Sequence, residues 1–166
     1  EIYEQVIGIQ IANKEGLITK VYPYEETQIG IDVSGYDYYK NIIKKNGVYW
    51  SPSFLSAQLE SPAVSVSLPY NNGIITAFLS LNSIDVLSET TTSIGEDLLV
   101  TITDQNGVYV KHMDRNKVLL RENDQSFNKN REIWNGEILT ETVIYNGQKY
   151  FAYSNFLPEL NWMITH

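Results

Sequence analysis

No cysteine occurs in the chain, so disulfides and thiolate metal sites are excluded. That absence fits a cytosolic and an extracytoplasmic setting equally. Arginine is scarce: Arg115, Arg121 and Arg131 are the whole set, and all three lie in the second half. The first half therefore has no guanidinium to fork onto a carboxylate or phosphate. Basic charge as a whole is short, with 12 Lys and Arg against 20 Asp and Glu and a net charge of −8. Nucleic acid and anionic membrane surfaces both select basic patches, so neither is an expected partner. No apolar run approaches the roughly 20 residues that a membrane-spanning helix needs, and no signal peptide is visible. The chain opens on Glu1 and stops at His166, straight after a hydrophobic stretch, and reads as a segment of something longer. Histidine is limited to His112 and His166. His112 follows a strand signal near Asp104 and Asp114, but no nucleophile motif accompanies it. A phosphate-cradling glycine loop, a metal-spaced His/Asp cluster and a nucleophile elbow are all missing. No cofactor, metal or catalytic residue is expected, and a small hydrolase is the weakest of the functions considered.

What the chain does have is tyrosine, 12 in 166 residues, and short alternating strands broken by turn signals. Gln5 to Ile11 alternates, Asn13 to Gly16 is a hairpin turn, and Leu17 to Val21 returns until Pro23. Tyr24 to Ile29 reads as loop. Asp32 and Ser34 are helix caps ahead of a helix from Tyr36 to Lys45, with Tyr39, Ile42 and Ile43 on its apolar face and Lys40, Lys44 and Lys45 on its wet face. Asn46-Gly47 stops it. Val48 to Trp50 is a strand that Pro52 breaks. Ser61-Pro62 opens another strand, with Val64, Val66 and Leu68 on one side and Ser65 and Ser67 on the other. Asn72-Gly73 is read as a type I′ turn into a strand from Ile74 to Leu81. A helix is expected from Ile84, then a strand from Leu98 to Ile102, a turn at Asp104 to Gly107 and a return from Val108. Asp114 caps a short helix through Leu119. Strands at Ile138 to Ile144, Tyr150 to Phe156 and Trp162 to Ile164 finish the chain, with a turn at Asn146-Gly147.

The pattern repeats. Ile11-Ala12-Asn13-Lys14-Glu15-Gly16-Leu17 matches Ile102-Thr103-Asp104-Gln105-Asn106-Gly107-Val108, and Lys20 matches Lys111. Two hairpins around a helix-and-loop insert make one antiparallel α+β unit, and the chain holds two in tandem. The expected divisions are 1–83, a connecting helix and linker over 84–97, and 98–166. The insert between hairpins is longer in the first unit (Gly16 to Asn72) than in the second (Gly107 to Asn146), which leaves the first more room for a pocket. Aromatic and hydroxyl side chains also concentrate there, between Ile31 and Leu81.

Ile29-Gly30-Ile31-Asp32-Val33-Ser34 followed by Tyr38-Tyr39 resembles a segment of double Cache sensor domains. Tyr49-Trp50-Ser51-Pro52, Ser61-Pro62-Ala63-Val64 and the Gly73 hairpin continue the pattern. Ile102 to Gly107 and Asn161-Trp162-Met163-Ile164 resemble the start and end of that family's smaller second unit. The resemblance implies two PAS-like units outside a membrane, the larger one distal and the smaller one proximal, with most of the family's long N-terminal helix missing. It implies flanking transmembrane helices, a homodimer when full length, and a histidine kinase, chemoreceptor or cyclic-nucleotide output. For this segment alone a monomer or weak dimer is expected.

The resemblance also implies a small molecule held in the first unit, between sheet and insert. Tyr36 stands where the amino-acid-binding branch carries Arg, and Phe78 near where it carries Asp, which argues against an ordinary α-amino-acid ligand. The candidate residues are the aromatics Tyr36, Tyr38, Tyr39, Trp50 and Phe54. The hydroxyls Ser51, Ser53, Ser65 and Ser67 and the carboxylate of Asp32 join them. Tyr39 also reads as core, Trp50 as core or pocket, and Asp32 as a cap. A neutral or cationic ligand is expected over a carboxylate. The alternative from another class is a structural or interaction module that contacts a periplasmic protein or spaces a dimer.

Overall fold

The computed structural model describes residues 5–56, 61–82, 100–125, 127, 138–145 and 147–166. The chain divides into two compact units, Glu1–Ser83 and Ile84–His166. The helix expected from Ile84 and the linker over 84–97 lie outside the described residues, as does Asn146 of the last expected turn.

In the first unit β1 (Val6–Ala12), β2 (Ile18–Tyr22), β3 (Tyr49–Trp50), β4 (Phe54–Ser56), β5 (Ser61–Tyr70) and β6 (Gly73–Ser80) form one antiparallel sheet. Its order is β2-β1-β6-β5-β3, with β4 also on β5. In the second unit β7 (Thr101–Thr103), β8 (Tyr109–Lys111), β9 (Leu139–Tyr145), β10 (Gln148–Leu157) and β11 (Trp162–Thr165) take the order β8-β7-β11-β10-β9. Counted within each unit the two orders match, except that the last strand of the first sheet is split into β3 and β4. Both units are PAS-like antiparallel sheets, and the fold is α+β.

The repeat holds at the level of single hydrogen bonds. Asn13 Oδ1 accepts from the N–H groups of Glu15 and Leu17, and Asp104 Oδ1 accepts from those of Asn106 and Val108. Gly16 and Gly107 both take positive φ, at +86° and +77°. From each turn the chain reaches the same partner in its insert: Val33 N–H donates to Gly16 O, and Asp124 N–H donates to Gly107 O. Such side-chain-to-backbone bonds are why Asn and Asp suit these turns.

The insert of the first unit carries a 3-10 turn over Glu26–Gln28 and then α1 (Asp37–Lys45). Asp37 in the first turn and Lys44 and Lys45 in the last complement the helix dipole. Asn46, at φ 47°, closes the helix in the left-handed region. The expected cap differs: Tyr36 is the N-cap and makes no side-chain cap bond, while Asp32 Oδ1 accepts from Ser34 N–H one turn earlier. Tyr39 and Ile42 pack on Ala12, Ile18, Val33 and Ile74 to form the core of the unit, while Ile43, expected on the same face, is turned to solvent and is 52% exposed. Tyr39 is also pinned by its hydroxyl, which donates to Lys14 O at 2.7 Å. The second insert carries α2 (Arg115–Leu119), where Asp114 caps as expected by accepting from Asn116 N–H.

One turn is shifted from its expected place. Tyr70 pairs with Gly73, so the two turn residues are Asn71 and Asn72, at φ 45° and 63°. Both positive values are what a type I′ turn requires. Gly73 serves another purpose: a Cβ there would lie 2.0 Å from Ala12 O on the neighbouring strand.

Candidate functional site

Register sorts the first sheet into rows that share a face. Val21, Gln10, Thr76, Ser67 and Tyr49 stand side by side across β2, β1, β6, β5 and β3. The helix lies on this face, because Gln10 Nε2 donates to Tyr38 Oη on α1 at 2.8 Å. On one side of that row Ala12 and Ile74 form the apolar floor under α1. On the other side comes the row Gly8, Phe78 and Ser65, and beyond it Ala63, with Phe54 opposite on β4.

The face is polar at its centre and buried. Gln10, Ser65, Ser67 and Thr76 are each less than a tenth exposed. Buried polar groups require partners, and the side chains of Gln10, Ser67 and Thr76 have them. Ser67 Oγ and Thr76 Oγ1 share a hydrogen bond of 2.9 Å. Ser65 N–H donates to Ser51 Oγ, which itself donates to Pro52 O, so Ser51 carries the ladder between β3 and β4. Burial raises the phenol pKa values of Tyr38 and Tyr49 above the ordinary value, so both hydroxyls stay protonated near neutral pH.

A cavity of about 250 Å³ opens where α1 stops covering this face. Gly8, Gln10, Tyr22, Phe54, Ser56 and Phe78 line it from the sheet, and Pro23 and Gln28 from the strap that follows β2. Phe54 and Phe78 meet edge to face, with centroids 6.2 Å apart at 90°. Gln28 Nε2 donates to Glu25, whose other carboxylate oxygen accepts from Thr27 Oγ1 at 2.9 Å, so the strap is folded on itself. The five lysines of residues 1–83 are all exposed, and none lines the cavity.

The expected candidates separate against this geometry. Phe54 lines the cavity, and Ser65 stands in the adjacent row with Phe78. Ser67 lies in the polar row and Tyr38 of α1 bonds to it through Gln10, with Tyr36 stacked on Tyr38 at 5.6 Å between centroids. Tyr39 belongs to the core. Ser53 is buried between β3 and β4. Trp50 pairs with Val66, and the strand pleat puts that pair on the opposite face from Tyr49 and Ser67. Asp32 is fully exposed, and its bonds from Ser34 lower its pKa. Gln10, Gly8, Pro23 and Gln28 were not among the expected residues. Gln10 carries a readable signal, a single amide in the apolar run Val6–Ala12. Gln28 carries none.

Ionisable groups gather in the second unit. Tyr109 lies edge to face with His112 at 4.7 Å, and Lys117 Nζ stands 5.5 Å from the Tyr109 ring centre. Burial first, then Asp124, pushes the Tyr109 phenol up to about 12. His112 Nδ1 accepts from Asp114 N–H, which uses the nitrogen that a general base would offer.

No protein-family model matches the chain, and no curated protein matches its sequence. Solved structures do. An extracellular ligand-binding receptor from Desulfohalobium retbaense superposes with a TM-score of 0.63 at 10% identity, over 98% of this chain and 30% of that one. The ligand-binding domain of the Pseudomonas aeruginosa amino acid chemoreceptor PctC, in complex with GABA, gives 0.64 at 16% identity over 97% of this chain and 73% of that one. The ligand-binding domain of the Pseudomonas fluorescens chemoreceptor CtaA, in complex with L-serine, gives 0.61 at 15%, over 96% and 71%. At these identities the likeness is one of fold, and this chain spans 30% of the first receptor's length. The fold is that of chemoreceptor ligand-binding domains, as the resemblance to double Cache sensors implies.

Proposed function

We propose that the chain is the extracytoplasmic sensor region of a membrane receptor and binds a small organic molecule in its first unit. The carrying observation is the open cavity beside the buried polar row, between sheet and insert. Convergent polar groups in a concave, partly aromatic site are the usual form of a small-molecule site. The neighbours hold GABA and L-serine in the same fold, which supports a ligand of similar size. The reading is of a binding module and not of an enzyme. In the whole receptor the first unit is membrane-distal and the second proximal. Transmembrane helices flank them, and the receptor pairs as a homodimer ahead of a kinase, chemotaxis or cyclic-nucleotide output.

The ligand is neutral or cationic. An anion would enter without a cationic side chain, since residues 1–83 hold no arginine or histidine and their lysines all lie outside the cavity. Burying an unpaired charge costs several kcal/mol, on the order of the effective penalty per ion. A thermal-shift screen over metabolites tests the reading, with Phe78→Trp as a variant that fills the cavity. Compounds that stabilise the wild type and not Phe78→Trp are expected. If nothing binds, or if hits are indifferent to Phe78→Trp, the reading gives way to a contact or spacer module.

A further inference from the structure

The cavity is specific about what it offers. Its volume of about 250 Å³ equals roughly eight waters at ~30 Å³ each. That suits one ring. Its two amide side chains, Gln10 and Gln28, each place a donor beside an acceptor. Each is oriented by a single bond, Gln10 to Tyr38 and Gln28 to Glu25, and each keeps further hydrogen-bonding positions. The apolar walls are the edge-to-face pair Phe54 and Phe78 together with Pro23. At Gly8 the wall is bare backbone, where a Cβ would stand 3.2 Å from Tyr22 O and 3.7 Å from the Phe78 ring. Among the described residues no charged side chain lines the cavity.

Aromatic walls favour a ring that stacks or packs edge-on against them. A carboxamide best matches a partner whose own donor and acceptor are adjacent, as when Gln pairs with the edge of adenine. Ammonium and carboxylate groups, both present on GABA and L-serine, find no counter-charge among the described lining. We propose that this cavity takes a small uncharged planar ring with an amide-type edge: an aromatic carboxamide, a lactam or a nitrogen heterocycle. The ring lies against Phe54 and Phe78, and Gln10 and Gln28 read its edge. This rests on the first unit being the ligand-binding unit, and it narrows the ligand from neutral or cationic to neutral.

The test is isothermal titration calorimetry on the 166-residue protein. The neutral rings are nicotinamide, uracil and adenine. The charged or non-planar comparisons are nicotinate, benzamidinium, L-serine and myo-inositol. At least one neutral ring is expected to bind, and to bind about tenfold or more tighter than every comparison compound. Phe78→Trp is expected to abolish that binding. Gln28→Lys, at the one half-buried position of an exposed strap, is expected to shift the nicotinamide-to-nicotinate preference toward the acid by about tenfold. Circular dichroism confirms that both variants are folded. If a comparison compound binds tightest and Phe78→Trp removes it, the inference falls while the sensor reading stands. If a neutral ring binds and Phe78→Trp leaves it unchanged, or if Gln28→Lys leaves the preference unchanged, the inference also falls. If none of the seven binds, the inference falls, and the broad metabolite screen decides the sensor reading separately.

Discussion

Across the centre of the first sheet runs the row Gln10, Thr76, Ser67 and Tyr49, and across the second runs Thr101, Thr165, Ser154 and Leu139. The middle pair is the same in both: Ser67 with Thr76 at 2.9 Å, and Ser154 with Thr165 at 2.8 Å. The ends differ. Where the first unit has an amide bonded to a tyrosine of α1, the second has a threonine, and where the first has a phenol the second has a leucine. The first hairpin turns of the two sheets are the same down to single bonds. The skeleton is therefore carried by turn chemistry and the site by a few side chains on one row. The side chains of that row differ between the units without a change in fold.

Several substitutions test how far the two units are alike. The largest effect is expected at Gly73, which has no strained φ but whose Cβ would meet Ala12 O at 2.0 Å. Gly73→Ala should cost about 3 kcal/mol; a loss below about 1 kcal/mol on chemical denaturation would show that the strands separate easily there. Gly16→Ala and Gly107→Ala come next, since both add left-handed strain of roughly 1–2 kcal/mol to a steric overlap. The first should cost more: its Cβ meets Ser34 backbone at 2.8 Å, whereas at Gly107 the obstacle is the Phe127 side chain at 2.6 Å. Equal costs, or the reverse order, would break the ranking. The buried Ser–Thr pairs follow. Ser67→Ala and Ser154→Ala should each cost about 1–2 kcal/mol, because each leaves a threonine hydroxyl without its partner. Thr76 is fully buried and Thr165 is not, so the first loss should be the larger.

The smallest effect distinguishes the units by pH. Residues 1–83 contain no histidine, while His112 of the second unit is held below its ordinary value of 6.5, by burial first and Lys117 second. As pH falls the unfolded chain takes up the proton first. Stability is full above pH 6.5 and declines as pH falls from there toward the lowered folded value. His112→Gln should flatten the dependence of Tm on pH over that window. An unchanged slope would remove His112 from the account of acid sensitivity.

The skeleton was legible in the sequence because turn residues act locally. Asn13 and Gly16, Asp104 and Gly107, and Asp114 all sit where their side-chain chemistry placed them. The turn at Asn71-Asn72 was misplaced by one residue, because Asn72-Gly73 is the stronger local signal while Gly73 answers to a strand distant in sequence. β4 forms between Pro52 and Ser61, where the sequence signals no strand; its pairing with β5 depends on Ser51 carrying the ladder past Pro52. The geometry of the candidate site was half legible. Ser65, Ser67, Tyr38 and Phe54 share the covered face, but whether a strand turns its tyrosine or its tryptophan inward is a matter of register, and Tyr49 and Trp50 are adjacent. Gln28 reaches the cavity only through the path of the strap, which no local rule encodes.

Amide hydrogen exchange of the protein, with and without the tightest compound from the metabolite screen, asks most directly whether the first unit is the binding unit. Slower exchange is expected around residues 8–10, 23–28, 54–56 and 76–78, with 150–165 unchanged. Protection confined to 101–165, with the first unit unaffected, would contradict the assignment of the ligand to the cavity beside Gln10.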